Sequence, residues 1–215
     1  MIEAVVFDLD GVIVDSEPVW ADVRERYTSE VGGTYGETAT RDMMGMSSHE
    51  WSAYMAEKLG VPGTPAEINA AIVERMLARY GEKPPLIPGA VDAVRRIADR
   101  FPLGIASSSN PELIEVVLAA SGLSKLFPVR VSSQEVPRGK PAPDVYLEAA
   151  RRLGVDPAYC GAVEDSHNGI RSAKAAGMRV VAVPNPHFRP DEEALAQADV
   201  VLGSVGELSP EIFAA

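Results

Sequence analysis

Six short apolar stretches recur along this chain, and their spacing restricts the fold to one class. They are "EAVVFDLD", "PLGIASSS", "PVRVSS", "YCGAVED", "RVVAVP" and "ADVVL". From the second stretch onward they recur at roughly 20 to 30 residues, with a helix-like segment in most gaps. This alternation is typical of βαβ units, and it predicts an α/β fold with a doubly wound, Rossmann-like parallel sheet.

The helix-like segments between these strands carry clear start and stop signals. The segment "SNPELIEVVLAASG" offers Ser109 or Asn110 as the N-cap, Pro111 in the first turn and Gly122 as the stop. The segments "APDVYLEAARRLG" and "NGIRSAKAAG" also end in glycine, and the first carries an apolar stripe at helical spacing. We therefore predict a helix after the second, the third and the fourth strand.

The gap between the first and second strands is much longer than one helical connection requires. It contains "SEPVWADVRERYTSEVG", "SHEWSAYMAEKLG" and "TPAEINAAIVERMLARYG", each of which begins with a capping residue and ends in glycine. We interpret residues 16–84 as an inserted all-helical domain, with "EKPPLIPG" as the linker that returns to the sheet. Residues 1–15 and 85–215 then form the core domain.

The charge balance excludes several classes of partner. Twenty Lys and Arg residues against 31 Asp and Glu residues give a net charge of −11, which repels nucleic acids and anionic membranes. The same field disfavours an anionic substrate, so a phosphate site here needs a local source of positive potential. No apolar run approaches the roughly 20 residues of a membrane span, and we expect a cytoplasmic protein. The single cysteine, Cys160, is expected to be a small buried hydrophobe.

Two carboxylates follow the first strand only one residue apart. Asp8 and Asp10 point to the same side of an extended chain, where their like charges repel. The carboxyl ends of parallel strands meet at one edge of the sheet, which is where ligands bind in such folds. Other polar residues predicted to reach that edge are Ser107, Ser108, Ser109, Lys140, Glu164 and Asp165.

A hard divalent cation would explain why these acids coexist. Mg²⁺ prefers oxygen ligands, and two or three carboxylates with a carbonyl suffice to bind it. With Lys140 it would supply the missing positive field. The serines and the backbone amides at the helix start near Asn110 are suited to phosphate oxygens. Asp8 is then free to act as a nucleophile and Asp10 as an acid and base, which are the parts of a phosphoryl-transfer site.

Each of these signals has an ordinary explanation when it is taken alone. Most Asp-x-Asp pairs are surface turns, a serine run before a helix is usually a cap, and a lysine before Pro-Ala-Pro is usually solvated. Gly11 comes too early for an EF-hand calcium loop. The order of the motifs and their shared position at strand ends favour the catalytic interpretation.

The motifs "DLDGVIVDS", "SSSN", "RGKPAPD" and "VEDS" resemble the four signature motifs of the haloacid dehalogenase superfamily of phosphohydrolases. The resemblance covers the whole chain, the helical insert stands where that family has its type 1 cap, and the β-phosphoglucomutase and sugar-phosphate phosphatase branch is most similar. It implies that Asp8 forms an aspartyl-phosphate and that Asp10 protonates the leaving oxygen and then activates water.

The resemblance also implies how the remaining motif residues act. Ser107, the Ser108 amide and Asn110 would bind the phosphoryl group, and Lys140 would balance its charge. The implied Mg²⁺ ligands are Asp8, the carbonyl of Asp10, Asp165 and, directly or through water, Glu164.

The helical insert should decide between phosphatase and mutase. Where the similar mutases have a histidine after the first motif, this chain has Trp20, and where their cap loop has a phosphate-gripping arginine, it has Ser48 beside His49. Loss of that arginine removes a bidentate phosphate contact, which favours a substrate with one phosphate. The cap residues that the resemblance implies in substrate binding are Trp20, Gly45, Ser47 and Arg75.

The sequence therefore predicts a Mg²⁺-dependent phosphatase that acts on a small sugar or polyol phosphate and is a monomer or weak dimer. A phosphosugar mutase of the same fold is the enzymatic alternative. A phosphate-sensing or partner-binding module is the non-enzymatic one. A receiver domain also combines acids with a lysine, but it is shorter and lacks such an insert.

Overall fold

The computed structural model describes residues 1–44, 46–185 and 189–214. Its strands form one sheet in the order β3-β2-β1-β4-β5-β6, in which every pair of neighbours is parallel. This is the doubly wound order that the sequence predicted. The strands are β1 Ala4–Phe7, β2 Leu103–Ser107, β3 Val129–Ser132, β4 Cys160–Glu164, β5 Arg179–Ala182 and β6 Val200–Val201.

The register of the central strands places the predicted chemical groups at one edge. Phe7 of β1 lies beside Ile105 of β2 on one side and Val163 of β4 on the other. The residues that follow these three positions therefore leave the sheet together. Because the strands are parallel, Asp8, Ser107 and Glu164 reach the same edge.

Both faces of the sheet are covered, as an all-parallel sheet requires. Along β1, Val5 and Phe7 point into one apolar cluster, and Ala4 and Val6 point into a second cluster on the opposite face. All four side chains are fully buried. The strand therefore reads as a continuous apolar run rather than as an alternating one.

Within the insert, residues 16–84, the described part of the chain forms four helices, which we call the cap. They are α1 Glu17–Glu30, α2 Ala39–Met43, α3 Ser48–Lys58 and α4 Pro65–Glu82. Three of them were predicted, whereas α2 is too short to give a periodic pattern. The N-cap of α3 is Ser47, one residue before the predicted start, and it forms a capping box with Glu50. Thr64 and Glu67 form the same motif at the start of α4.

The cap is packed on the sheet rather than tethered to it loosely. Helices α3 and α1 both pack on α4, and α4 also packs on the core helix α6, Pro111–Ala120. The buried side chains Met55 and Ile72 of the cap belong to the same apolar cluster as Phe7 of the sheet. Burial against the core thus stabilises the cap in the position seen here.

The remaining core helices are α5 Ala90–Ala98, α7 Asp144–Leu153, α8 His167–Ala175 and α9 Glu192–Leu195. Helices α6, α7 and α8 confirm the three that start and stop signals predicted. Helix α5 was not predicted, although its buried residues lie at helical spacing. Its N-terminus follows the proline-rich linker closely, and its nine residues give a short pattern.

Two further predictions concern burial. Cys160 is a free and fully buried thiol at the start of β4, as expected for a small hydrophobe. Burial raises the pKa of its thiol to about 11, so it is not a reactive thiolate at neutral pH. Across the described parts of the chain, the helices all lack the length or the apolar character that crossing a bilayer requires.

Candidate active site

The loop after β1 folds back on itself and aims Asp8 and Asp10 at the strand edge. The amides of Ile13 and Val14 donate to the Leu9 carbonyl, and the Gly11 amide donates to the Val14 carbonyl. Gly11 has a φ of 73°, and a Cβ built on it would lie 1.8 Å from Oδ2 of Asp165. Only glycine fits here, because the backbone needs a left-handed turn and the carboxylate needs the space.

Lys140 joins the first and fourth strands through their carboxylates. Its Nζ lies 3.1 Å from Oδ1 of Asp8 and 2.6 Å from Oε1 of Glu164. Burial by itself lowers the pKa of the Lys140 ammonium, but the two adjacent carboxylates outweigh burial and hold that pKa above its usual value. Lys140 therefore remains a cation inside the site.

Glu164 is fully buried and is the best-satisfied acid of the site. Besides Lys140, its Oε1 accepts the Tyr146 hydroxyl at 2.8 Å. Its Oε2 accepts the Asp165 amide and the amide and hydroxyl of Ser166. Helix α8 can approach this carboxylate only because residue 169 is glycine, whose Cβ would lie 1.9 Å from the Glu164 carboxyl carbon.

Three carboxylates lie close enough to share a metal ion. Asp8, Glu164 and Asp165 each present an oxygen, and these oxygens all lie within 4.8 Å of one another. Burial raises the pKa of the Asp8 carboxyl, and Glu164 raises it further, whereas Lys140 only partly opposes them. Burial, Glu164 and Asp8 likewise raise the pKa of Asp165. Hard oxygen donors whose charges repel one another fit a divalent cation such as Mg²⁺.

Asp10 lies outside that group of carboxylate oxygens and faces the end of β2. Its Oδ2 accepts the Ser109 hydroxyl at 2.7 Å and the Ser107 hydroxyl at 3.3 Å. The Ser109 amide in turn donates to the Ser107 hydroxyl at 3.0 Å. These bonds fix the Asp10 carboxylate next to, but separate from, Asp8.

The loop between β2 and α6 is held from both sides. The Ser132 hydroxyl at the end of β3 donates to the Ser109 carbonyl at 2.7 Å. Asn110 is the N-cap of α6, and its Nδ2 donates to Oδ1 of Asn69 on α4 at 3.3 Å. Asn110 thus links the core to the cap, and its own side-chain oxygen is buried with no hydrogen-bond partner among the described residues.

These groups surround a cavity of about 80 Å³ between the sheet edge and the cap. We call its two sides the core wall and the cap wall. The core wall contains Asp8, Asp10, Lys140 and Asp165, with Ser108 and Ser109. The cap wall contains Glu17, Trp20, Arg24 and Trp51, with Met44 and Met46. A cavity much smaller than a typical ligand pocket means that the cap is closed onto the core.

Two cap-wall residues were not predicted from the sequence. Arg24 is 5% exposed and lies on α1. Its guanidinium carbon lies 4.6 Å from the ring centroid of Trp20 and 4.8 Å from that of Trp51. Glu17 lies one to two turns earlier on the same helix, and burial raises the pKa of its carboxyl from 4.5 to about 7, against the opposing effect of Arg24. A charged residue on a helix is usually solvated, so no sequence pattern marks either residue as part of a cavity.

The structure does not bring every predicted residue to the cavity. Ser107 is fully buried behind it, and its hydroxyl is already bonded to Asp10. Ser47 caps α3 and lines a second, more open cleft on the other side of Lys140. The Arg75 guanidinium donates to Glu30 at 2.9 Å and stacks on Tyr27, away from the cavity.

The remaining predicted site residues lie in different places. Trp20 and Lys140 line the cavity, and Asn110 lies at the start of α6. Gly45 lies outside the described residues. Ser109, which the sequence placed at the strand edge and offered as a helix cap, donates the shorter of the two serine hydrogen bonds to Asp10.

The comparisons with known proteins agree with this site. The family model described as "haloacid dehalogenase-like hydrolase" matches residues 2–177. Hexitol phosphatase B of Escherichia coli strain K12 is 35% identical over 216 residues, which cover 96% of this chain and 94% of that protein. A phosphorylated carbohydrates phosphatase of Thermotoga maritima is 31% identical, and the match covers 97% of this chain and 95% of that protein.

A solved structure shares the complete fold, including the cap. The CbbY protein of Rhodobacter sphaeroides, in complex with phosphate, superimposes with a TM-score of 0.89 over 100% of both chains, at 28% identity. The family resemblance that the four sequence motifs carried is therefore confirmed by the family model, by full-length relatives and by the fold. This chain belongs to the haloacid dehalogenase-like hydrolase family.

Proposed function

We propose that this protein is a Mg²⁺-dependent phosphatase that hydrolyses a small sugar or polyol phosphate through an aspartyl-phosphate on Asp8. The observation that carries the proposal is the position of Asp8 at the sheet edge. Its carboxylate lies 3.1 Å from the Lys140 ammonium, inside a cavity that Asp10 also lines. A nucleophile, a fixed positive charge and a second acid thus meet around one small volume.

In the first step, an oxygen of Asp8 attacks phosphorus and the bond to the leaving oxygen breaks. Asp10 gives its proton to that oxygen, so the product leaves as an alcohol. In the second step Asp10 takes a proton from water, the water oxygen attacks phosphorus, and the Asp8 carboxylate is released with inorganic phosphate. The separate hydrogen bonds of Asp10 to Ser107 and Ser109 keep it oriented for both proton transfers.

Lys140 balances the negative charge of Asp8 and of the phosphoryl group throughout. We assign phosphoryl contacts to the loop at the start of α6, where Ser108 and Ser109 line the cavity and Asn110 begins the helix. Ser107 acts one layer behind them by holding Asp10. Most of the rate enhancement must come from such positioning and charge stabilisation, because general acid catalysis supplies only about 10²–10⁴.

The carboxylates of Asp8 and Asp165 and the carbonyl of Asp10 would hold the Mg²⁺. Bound there, the ion would neutralise acidic charge and polarise the phosphoryl oxygens. Glu164 has five protein donors around its two oxygens, so we assign it to orienting Lys140 and the Asp165 backbone rather than to direct metal binding. The fit of the site to a hard cation rests on the Asp8 and Asp165 oxygens, which lie within 4.8 Å of each other.

The substrate class rests on the relatives and on the cap wall. Both relatives described above carry names that refer to phosphorylated hexitols or carbohydrates. The cap wall combines two indole rings with acceptor and donor groups, a composition suited to a polyhydroxylated leaving group. Arg75, Ser47 and Gly45 remain predicted substrate contacts. A structure with substrate bound would test them.

The decisive experiment is a phosphate-release screen over phosphorylated metabolites, with Mg²⁺ and then with EDTA. We expect release from hexitol or sugar monophosphates that needs the metal. Absence of release from every metabolite and from a generic aryl phosphate would overturn the proposal in favour of a binding module. Isomerisation of β-glucose 1-phosphate, switched on by catalytic amounts of a sugar bisphosphate, would instead establish the mutase.

The organisation around this activity is also part of the proposal. We take residues 16–84 as the cap domain, and residues 1–15 with 85–215 as the catalytic core domain. We expect a monomer or weak dimer that works in the cytoplasm on a diffusible substrate. Analytical ultracentrifugation tests the first expectation, and cell fractionation tests the second.

A further inference from the structure

Arg24 is a buried cation whose hydrogen-bonding groups are not used by the protein. It is 5% exposed, and its Nε is buried without a hydrogen-bond partner. It makes no hydrogen bond or ion pair with any residue in the described ranges, only the two aromatic contacts. Buried arginines are almost always paired, because the guanidinium has five N–H donors and remains charged. The missing acceptor is therefore expected to come from a ligand.

The two tryptophans fix the direction of this side chain. The ring centroids of Trp20 and Trp51 lie 5.7 Å apart, and the Arg24 guanidinium lies within 5 Å of both. Aromatic faces favour a nearby cation, which offsets part of the cost of burial. The held guanidinium lines the same cavity as Asp8 and Asp10. It is thus a preorganised donor on the wall that faces the leaving group.

Glu17, which lines the same wall, limits which chemical groups of a ligand Arg24 can bind. Glu17 lines the cavity as well, and it is an acceptor when ionised, whereas Arg24 can only donate. A second phosphate or a carboxylate on the substrate would satisfy Arg24 but would be repelled by Glu17. A hydroxyl group satisfies both, since its oxygen accepts from Arg24 while its hydrogen is donated to Glu17.

We propose that Arg24, held against Trp20 and Trp51, is the specificity residue that binds hydroxyl groups of the leaving alcohol together with Glu17 of the same wall. The inference rests on the proposed phosphatase function and names the chemistry that its cap recognises: a polyol or sugar hydroxyl, not a second anionic group. Arg24 takes no part in the transfer of phosphorus.

The test compares Arg24→Met and Arg24→Lys with the wild type in the presence of Mg²⁺. The probes are sorbitol 6-phosphate, ribose 5-phosphate and glycerol 3-phosphate, with p-nitrophenyl phosphate as a substrate that lacks hydroxyls. We expect Arg24→Met to lower kcat/KM about 10- to 100-fold for the preferred hydroxylated probe, mainly through KM. Hydrolysis of p-nitrophenyl phosphate should change by less than about threefold, within the range of weak indirect effects. Arg24→Lys should be intermediate, because lysine keeps the charge but loses the planar fork.

The matched control is Arg26→Met on the same helix. Its side chain is 68% exposed and pairs with Asp22 on the helix surface, so the variant should match the wild type on every probe. Circular dichroism and melting curves establish that each variant is folded. An Arg24→Lys protein keeps the measurement possible if Arg24→Met does not fold.

Each other outcome contradicts the inference in a distinct way. Equal losses on hydroxylated and aryl substrates would make Arg24 a structural residue, and no loss would mean that it does not contact substrate. With fructose 1,6-bisphosphate added as a probe that carries a second phosphate, a loss confined to that probe would make Arg24 an anion site. Wild-type activity on the aryl phosphate but on none of the hydroxylated probes overturns the inference alone. Wild-type inactivity on all of them overturns the proposed function on which it rests.

Discussion

The core wall and the cap wall of the same cavity differ in how their charged side chains are paired. On the core wall, Lys140 contacts two carboxylates directly, and Glu164 behind that wall accepts five protein donors. On the cap wall, the Arg24 guanidinium has aromatic faces but no acceptor among the described residues.

The difference follows from what each wall must do. A reaction centre that handles the same phosphoryl group in every turnover benefits from groups that the protein has already fixed, because no reorganisation is needed when charge develops. A wall that selects among leaving groups must keep donors and acceptors free for the substrate. The four predictions that follow test this division.

The largest effect is expected for Asp8→Asn, which removes the nucleophile from the core wall. Turnover should fall by about 10⁴-fold or more, since the remaining groups can only bind and polarise the substrate. Phosphate release with Mg²⁺ measures the loss, and circular dichroism confirms the fold. An Asp8→Asn enzyme that works at the wild-type rate would refute the assignment.

Asp10→Ala should impair the second step more visibly than the first. The variant loses the group that activates water, so dephosphorylation should slow by about 10²–10⁴ and phosphorylated enzyme should accumulate. Intact-mass spectra after mixing with substrate would show one added phosphoryl group. Unmodified protein with unimpaired turnover would contradict the acid–base role.

Gly11→Ala tests how tightly the core wall is built. The new Cβ would lie 1.8 Å from Oδ2 of Asp165 and would also sit on a backbone with a φ of 73°. The matched control is Gly122→Ala, where φ is 69° and nothing lies within 4 Å.

The control, Gly122→Ala, should lower the free energy of unfolding by only about 1 kcal/mol, through the strain of the left-handed backbone. Gly11→Ala should lower the free energy of unfolding by about 2–4 kcal/mol in total, because overpacking adds to the backbone strain. Its Mg²⁺ affinity should also fall, because the new Cβ displaces Asp165. Urea unfolding and metal titration measure the two effects. Equal behaviour of the two variants would mean that Asp165 moves freely.

The smallest effect concerns the cap wall and pH. Burial raises the pKa of Glu17 from 4.5 to about 7, so the folded protein holds this proton more tightly than the unfolded chain does. The stabilising contribution of this group is complete below about pH 4.5 and is lost as pH rises through about 7.

The Glu17→Gln substitution removes the group that loses stability as pH rises. In metal-free buffer the variant should match the wild type near pH 5 and exceed its free energy of unfolding at pH 8 by on the order of 2 kcal/mol. Urea titrations at the two pH values test the difference. A wild type whose stability relative to the variant does not fall between pH 5 and 8 would show that Glu17 is well solvated.

The strand rhythm and the glycine and proline signals predicted the sheet and most of its helices. They did so because a buried parallel strand must be a short apolar run, and a helix must begin and end with residues that satisfy its free backbone groups. Helix α2 and helix α5 were missed because five and nine residues leave too short a pattern.

Within the site, the sequence by itself determined the core wall. Asp8 and Asp165 directly follow the parallel strands β1 and β4, so their position along the chain fixes their position in space. Lys140 lies in the loop after β3, and its contacts with Asp8 and Glu164 bring it to the same edge. Only the tertiary structure decided the cap wall, because a charged helix residue looks the same in sequence whether it faces water or a cavity. Packing of α1 and α3 places Arg24 against two indole rings, and the long-range contacts that achieve this leave no local trace in the sequence.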